Sequence, residues 1–275
     1  MKNIIVPTDF SVNAGYALNY AAEYANTINA TITIVHIFNI PVLTDAAVID
    51  QSMIDHWQKD NKKALFQISE RVLSKHSNLK IETESILGFT SDEILALTAT
   101  HKYAMIIMGS KGNSDVGGNV FGNTTSNIIR TSKIPVLVIP PGLTYKPIQR
   151  VALACHKDEL LTEKVVREIS DFIGELKAKM YILDIVRELA EPISKSYEET
   201  NKIKGHFNAL SPSVHIIEDE KVVHGINDFG EENEIDIVIM IPEKHTLFER
   251  LFTEIHTIHM ARSTNRPLLV LSSEI

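Results

Sequence analysis

Short β-branched runs alternate with longer helical stretches along this chain, and the alternation runs its course twice. Ile4-Ile5-Val6 is followed by Ser11 to Ala25, where Ala14, Ala17, Leu18, Ala21, Ala22 and Ala25 recur at helical spacing behind Ser11 as the expected N-cap. Thr31 to Ile37 reads as a second strand, about Asp50 to Ser74 as a long helix, and Leu79 to Ser85 as a third strand. Ser91 to Thr100 is an expected helix and Ala104 to Met108 a fourth strand. A glycine-rich segment, a helix over about Thr124 to Thr131 and a strand over Pro135 to Ile139 complete the first pass. Strand-helix alternation of this kind demands parallel pairing through right-handed crossovers, hence an α/β fold with a doubly wound sheet and helices on both faces.

Pro140-Pro141-Gly142 interrupts the pattern, and Gln149 to Ala154 restarts it. Glu159 to Leu176 reads as a helix, Met180 to Val186 as a strand and Glu198 to Ala209 as a helix. Val214 to Glu218, Ile235 to Met240 and Pro267 to Leu271 are the remaining strands. Lys133 to Val138 matches Asn265 to Val270, and Gly88 is paired with Gly225; the spacing between copies shrinks toward the end of the chain. The chain is therefore expected to be a tandem duplication, with domains over 1–142 and 148–275 and the boundary near 143–149.

With 275 residues, 44% of them hydrophobic and 23% charged, each copy can bury a sizeable core. A net charge of −8 argues against a general affinity for nucleic acid, which draws on an excess of Lys and Arg. No apolar run approaches the length of a membrane span, and the start of the chain lacks the apolar core of a signal peptide. The single cysteine, Cys155, cannot form an intramolecular disulfide. These features predict a cytoplasmic protein without membrane or nucleic-acid partners.

The segment after the fourth strand carries Gly109, Gly112, Gly117, Gly118 and Gly122 within fourteen residues, out of twelve glycines in the whole chain. In a doubly wound sheet, ligands sit beyond the carboxyl ends of the strands where the winding reverses. The glycine segment leaves the end of the fourth strand, and Pro7-Thr8-Asp9 leaves the end of the first. If the two strands are neighbours, one crevice receives both. Glycine lets main-chain N–H groups turn inward, and Gly122-Asn123-Thr124-Thr125 would open a helix whose unpaired N–H groups favour phosphate. Asp9 can accept from ribose hydroxyls. The combination describes a nucleotide site, although neither the G-x-x-x-x-G-K-[ST] of P-loop proteins nor a G-x-G-x-x-G after the first strand is present.

Gly109-x-x-Gly112, nine residues and then Gly122-Asn123 resembles the G-x2-G-x9-G-[ST] motif of the ATP-binding branch of the universal stress protein family. Ile5-Val6-Pro7-Thr8-Asp9-Phe10-Ser11 and Pro135-Val136-Leu137-Val138 resemble that family's first strand and loop and its last strand. The resemblance implies five-stranded parallel sheets in the order 3-2-1-4-5, adenine at the backbone of Ile37, and ribose on Asp9. It further implies phosphates on Gly109, Lys111, Gly112, Gly122 and the residues that follow, with Pro7, Thr8 and Met108 lining the strand ends. The ligand would be ATP, ADP or AMP, with or without Mg2+. Asn123 stands where the family carries a hydroxyl, and Thr124 and Thr125 follow at once. Asp115 would repel phosphate unless it faces solvent or helps to hold a metal. Family subunits dimerise through their last strands, which implies intramolecular pairing of the two domains and leaves room for a homodimer.

The second copy lacks the cradle: Met240 to Phe248 contains no glycine, Pro242 has no N–H to offer, and His156 stands where Asp9 does in the first. One nucleotide per chain is expected. Seven of the eleven histidines lie in this half, namely His156, His206, His215, His224, His245, His256 and His259. His256-x-x-His259 could share a zinc ion with Cys155, against the plainer reading of exposed helix and loop histidines. Leu247 to Phe252 is read as a helix packing on the sheet. The function expected is nucleotide-dependent sensing. The rivals are slow ATP hydrolysis or nucleotidyl transfer, for which only Lys111 and Asp115 offer suitable groups, and an interaction module that binds no nucleotide.

Overall fold

The structure, a computed structural model, describes residues 2–40, 50–100, 103–110, 123–155, 158–186, 193–241 and 266–272. The chain divides into two compact units, with the change from one to the other at Tyr145 and Lys146. In the first unit, β1 (Asn3–Pro7), α1 (Val12–Ile28), β2 (Thr31–Phe38), α2 (Gln51–Leu73) and β3 (Lys80–Leu87) are followed by α3 (Thr90–Ala99), β4 (Met105–Gly109), α4 (Asn123–Thr131) and β5 (Val136–Ile139). All strands are parallel, in the order β3-β2-β1-β4-β5. The central strands are buried on both faces, which is why they read as unbroken apolar runs: Ile4, Ile5, Val6, Ile106 and Ile107 are all buried. Helix α1 meets them through Ala14, Ala17, Ala21, Ala22 and Ala25, whose small side chains let the helix backbone come close to β1 and β4. Ser11 caps α1 as expected, its hydroxyl accepting from Ala14 N–H. At the other end, Asn29 takes a left-handed conformation that stops the helix.

The second unit repeats the plan with β6 (Arg150–Ala154), α5 (Glu163–Leu176), β7 (Lys179–Val186), α6 (Ile193–His206), β8 (Ser213–Glu218), α7 (Val222–Glu232), β9 (Ile237–Met240) and β10 (Leu268–Val270). Its described strands are likewise parallel, in the order β8-β7-β6-β9-β10. In each unit the first strand lies between the second and the fourth, so both sheets carry the 3-2-1-4-5 order.

Ladder registers give an exact correspondence between the copies. Ile4 lies opposite Ile32 and Met105, and Val151 opposite Met180 and Ile237, so these are equivalent sets. Carried along the strands, the match corrects one sequence pairing. Gly88 N–H donates to the carbonyl of Phe38, and Asp219 N–H to that of Val186, the residue equivalent to Phe38; Gly88 therefore corresponds to Asp219 and not to Gly225. Three further differences from the sequence reading concern helices. Residues 158–160 form a 3-10 turn, and α5 begins only after Thr162, whose hydroxyl caps it. Helix α6 starts earlier than expected, at Ile193, and ends at His206. Helix α7 had no counterpart in the sequence reading.

Candidate functional site

Strands β1 and β4 are neighbours, and their carboxyl ends open side by side. The segment that leaves β1 is held by its own side chains. Thr8 N–H extends the ladder to the carbonyl of Val35. The Thr8 hydroxyl accepts from Phe10 N–H at 3.1 Å, and an Asp9 carboxylate oxygen accepts from Ser11 N–H at 3.0 Å. Asp9 therefore shapes the turn before α1, while Ser11 caps the helix. Pro7 and Thr8 are buried, whereas Asp9 is exposed at the rim. Between them and α1 stands Phe10 with φ at 61°, a left-handed conformation that costs a bulky residue about 1 kcal/mol or more. Its ring packs on His36 with centroids 4.3 Å apart, and His36 Nδ1 donates to the carbonyl of Thr8 at 2.8 Å.

On the β4 side, Met108 is buried and Gly109 ends the strand opposite Ile139. Helix α4 begins at Asn123, and the hydroxyl of the buried Thr125 donates to the carbonyl of Gly109 at 3.0 Å. That bond ties the first turn of α4 to the end of β4. The amides of a helix's first turn have no partner within the helix, so a polar, positively polarised helix end is fixed beside the mouth of the strands. On β2, the carbonyl of Val35 faces β1; two residues on, Ile37 presents its backbone to the same side, above the point where β1 leaves the sheet. Of the sequence-predicted residues, the structure thus brings Pro7, Thr8, Asp9, Ile37, Met108, Gly109, Thr124 and Thr125 to the carboxyl ends of three adjacent strands. Asn123 begins α4. Lys111, Gly112, Asp115 and Gly122 lie outside the described residues.

Sequence reasoning missed His36 and Phe10. His36 was legible only as one polar residue among several in its strand, and its partner, Thr8, lies just past the end of the neighbouring strand.

In the second unit, Cys155 is buried at the place of Thr8. Among the described residues no group of three His, Cys, Asp or Glu side chains could hold a metal ion. His206 lies against Asp158 at 2.8 Å, and His215 is lowered in pKa by burial beside Tyr181 and Phe229. His224 donates to Asp219 and approaches Asp228, and the Asp219 hydrogen bond raises its pKa. These three histidines have local partners, which suits the plainer reading of them. His156, His245, His256, His259 and the 247–252 run lie outside the described residues. No helix among the described residues is long and apolar enough to cross a membrane.

A parallel sheet in the order 3-2-1-4-5 with helices packed on it, and with a helix start and an exposed carboxylate at the carboxyl ends of its adjacent central strands, defines a doubly wound α/β protein. The chain belongs to the universal stress protein family, whose model matches residues 1–140. It is 26% identical over 156 residues to universal stress protein MJ0577 of Methanocaldococcus jannaschii, a match covering 50% of this chain and 94% of that protein. A universal stress protein structure from Archaeoglobus fulgidus superposes with a TM-score of 0.70 at 18% identity, covering 98% of this chain and 96% of its own, which shows the tandem fold over the whole length. A universal stress protein solved in complex with cAMP matches 51% of this chain at 22% identity and a TM-score of 0.40, covering 98% of its own chain.

Proposed function

We propose that the first unit binds one adenine nucleotide, ATP foremost, and that the chain acts as a nucleotide-dependent sensor in a stress response. The observation that carries this is the adjacency of β1 and β4, which sets the exposed Asp9 across from the Thr125-anchored start of α4. In this reading Asp9 accepts from the ribose, and Ile37 offers backbone to the adenine. The phosphates lie on the amides of Gly109, Gly112, Gly122, Asn123, Thr124 and Thr125, with Lys111 as a countercharge. Main-chain amides and a helix end supply the binding energy, so no catalytic residue is needed. Where Mg2+ accompanies the nucleotide it would neutralise phosphate charge; Asp115 is the carboxylate of the segment suited to it.

The second unit is proposed as a regulatory copy without a nucleotide. The register that matches Met105 with Ile237 puts Ile241 at the place of Gly109, and in the sequence Pro242 follows it where Ser110 follows Gly109; Ser110 N–H donates to Ile139 in the first unit. Proline cannot make that bond. Cytoplasmic residence, pairing of the two units, a homodimer and a protein that reads the nucleotide-bound state belong to the same proposal. Calorimetric titration of the full chain with ATP is expected to give a single site per chain. Two equivalent sites would overturn the assignment of the second unit, and no saturable heat with ATP, ADP or AMP would overturn the nucleotide itself.

A further inference from the structure

We infer that His36 is a positioning residue for this site: by donating Nδ1–H to the carbonyl of Thr8 and carrying the ring of Phe10, it holds the strained 8–11 turn that presents Asp9. The inference rests on the nucleotide reading above for its link to ligand, and on geometry alone for the clamp.

A carbonyl can only accept, so His36 must carry its proton on Nδ1, whatever the state of the other ring nitrogen. The turn it touches is costly. Phe10 sits in the left-handed region, and the residue is still 38% exposed, so burial is only part of what holds the conformation in place. What holds it is local: the Phe10 and Ser11 amides donate to the side chains of Thr8 and Asp9, and the imidazole lies under the Phe10 ring while bonding the carbonyl of Thr8. Loss of the imidazole removes the ring support and the carbonyl bond together. The turn then has every reason to relax toward negative φ, and the Asp9 carboxylate turns with it.

The second unit is an internal control. It builds the same strand order and keeps the backbone bond at this point, since Cys155 N–H donates to the carbonyl of Leu183 just as Thr8 N–H does to that of Val35. By register, however, the residue at the place of His36 is Asp184, and the one at the place of Thr8 is Cys155. Asp184 has no ring to carry a neighbouring aromatic side chain, and a thiol is a weaker hydrogen-bond partner than a hydroxyl. The same fold therefore forms without an imidazole at this place. The imidazole stands in the copy that has the glycine segment and not in the copy that lacks it, which points to the ligand site as its purpose.

Asparagine places an amide N–H where the imidazole has Nδ1; glutamine reaches the Nε2 position instead, and leucine keeps bulk without a donor. Full-length H36N, H36Q and H36L variants are therefore compared with the unaltered chain by ATP calorimetry and by hydrogen exchange at the Phe10 and Ser11 amides. H36Q and H36L are expected to bind ATP about tenfold more weakly, as loss of one positioning bond implies, with H36N within about threefold of the original. Exchange at the two amides should quicken in H36Q and H36L and stay slow in H36N, with melting temperatures alike. If the unaltered chain binds ATP and all three variants bind equally well, the clamp is wrong while the nucleotide reading stands. If H36N loses as much as H36L, donation to Thr8 is not the cause. If no form binds ATP, the nucleotide reading fails, and the exchange rates decide the clamp alone: equal rates in all four forms overturn it.

Discussion

An Asp9→Ala variant is expected to bind ATP about ten- to a hundredfold more weakly than the unaltered chain, because a carboxylate that accepts from ribose hydroxyls contributes about 1.5–3 kcal/mol per bond. Its stability should change little. Asp9 is exposed, and loss of its bond from Ser11 N–H leaves an amide that water can reach. Such a turn bond is typically worth about 1 kcal/mol or less. The contrast between affinity and stability is the useful part of the measurement. A loss of affinity with an unchanged melting temperature assigns Asp9 to the ligand, whereas equal affinity with a lowered melting temperature would leave it only the turn.

The largest effect on stability is expected at Asp236, just before β9. Its carboxylate is 8% exposed and accepts from the backbone N–H groups of Gln149 at 2.8 Å and Arg150 at 3.0 Å, while Lys146 Nζ lies 2.9 Å from the other oxygen. Asp236 N–H in turn donates to the carbonyl of Arg150. One side chain thus gathers the chain where it enters the second unit. Asp236→Ala leaves two part-buried N–H groups without their acceptor and should cost the second unit about 2–4 kcal/mol, mainly from those amides, since Lys146 is exposed. Asp236→Asn keeps one oxygen acceptor and should cost clearly less. Denaturant unfolding distinguishes these, and a loss below about 1 kcal/mol for the alanine variant would show that water replaces the carboxylate at little cost.

Much of this architecture was legible from residue order because its central strands are buried on both faces. Ile4 to Val6, Ile106 to Met108 and Val136 to Ile139 have no polar alternation to confuse with a surface strand, and the helices between them carry clear caps or periodicity. Helix α7 escaped notice because its residues argue weakly for a helix: two valines, a histidine, Gly225 and an Asn-Asp pair. It forms because Val222, Ile226 and Phe229, spaced i, i+4 and i+7, fall on one face and pack onto the sheet. The same weak local signal misled the pairing of Gly88 with Gly225, which only the ladder register corrects.

The site was legible in part, for a different reason. Glycine spacing and an Asp after the first strand can be read along the chain. The Thr125 bond to Gly109 spans sixteen residues, and the His36 bond to Thr8 spans twenty-eight. The first joins the start of α4 to the end of β4, and the second exists only because parallel pairing sets β2 beside the exit of β1. Phe10, next to Asp9 in sequence, gives no hint that it is held at positive φ. Those contacts turn a composition into a geometry, and they do so through the sheet.

The central claim is that one crevice, at the carboxyl ends of β1 and β4, holds the nucleotide. A crystal structure of the full chain grown with ATP tests this most directly. It should show the ribose against the Asp9 carboxylate and the phosphates at the amides between Gly109 and Thr125. Nucleotide density at the carboxyl ends of β6 and β9, or a first unit whose 109–125 segment fills the space between Asp9 and α4, would contradict it.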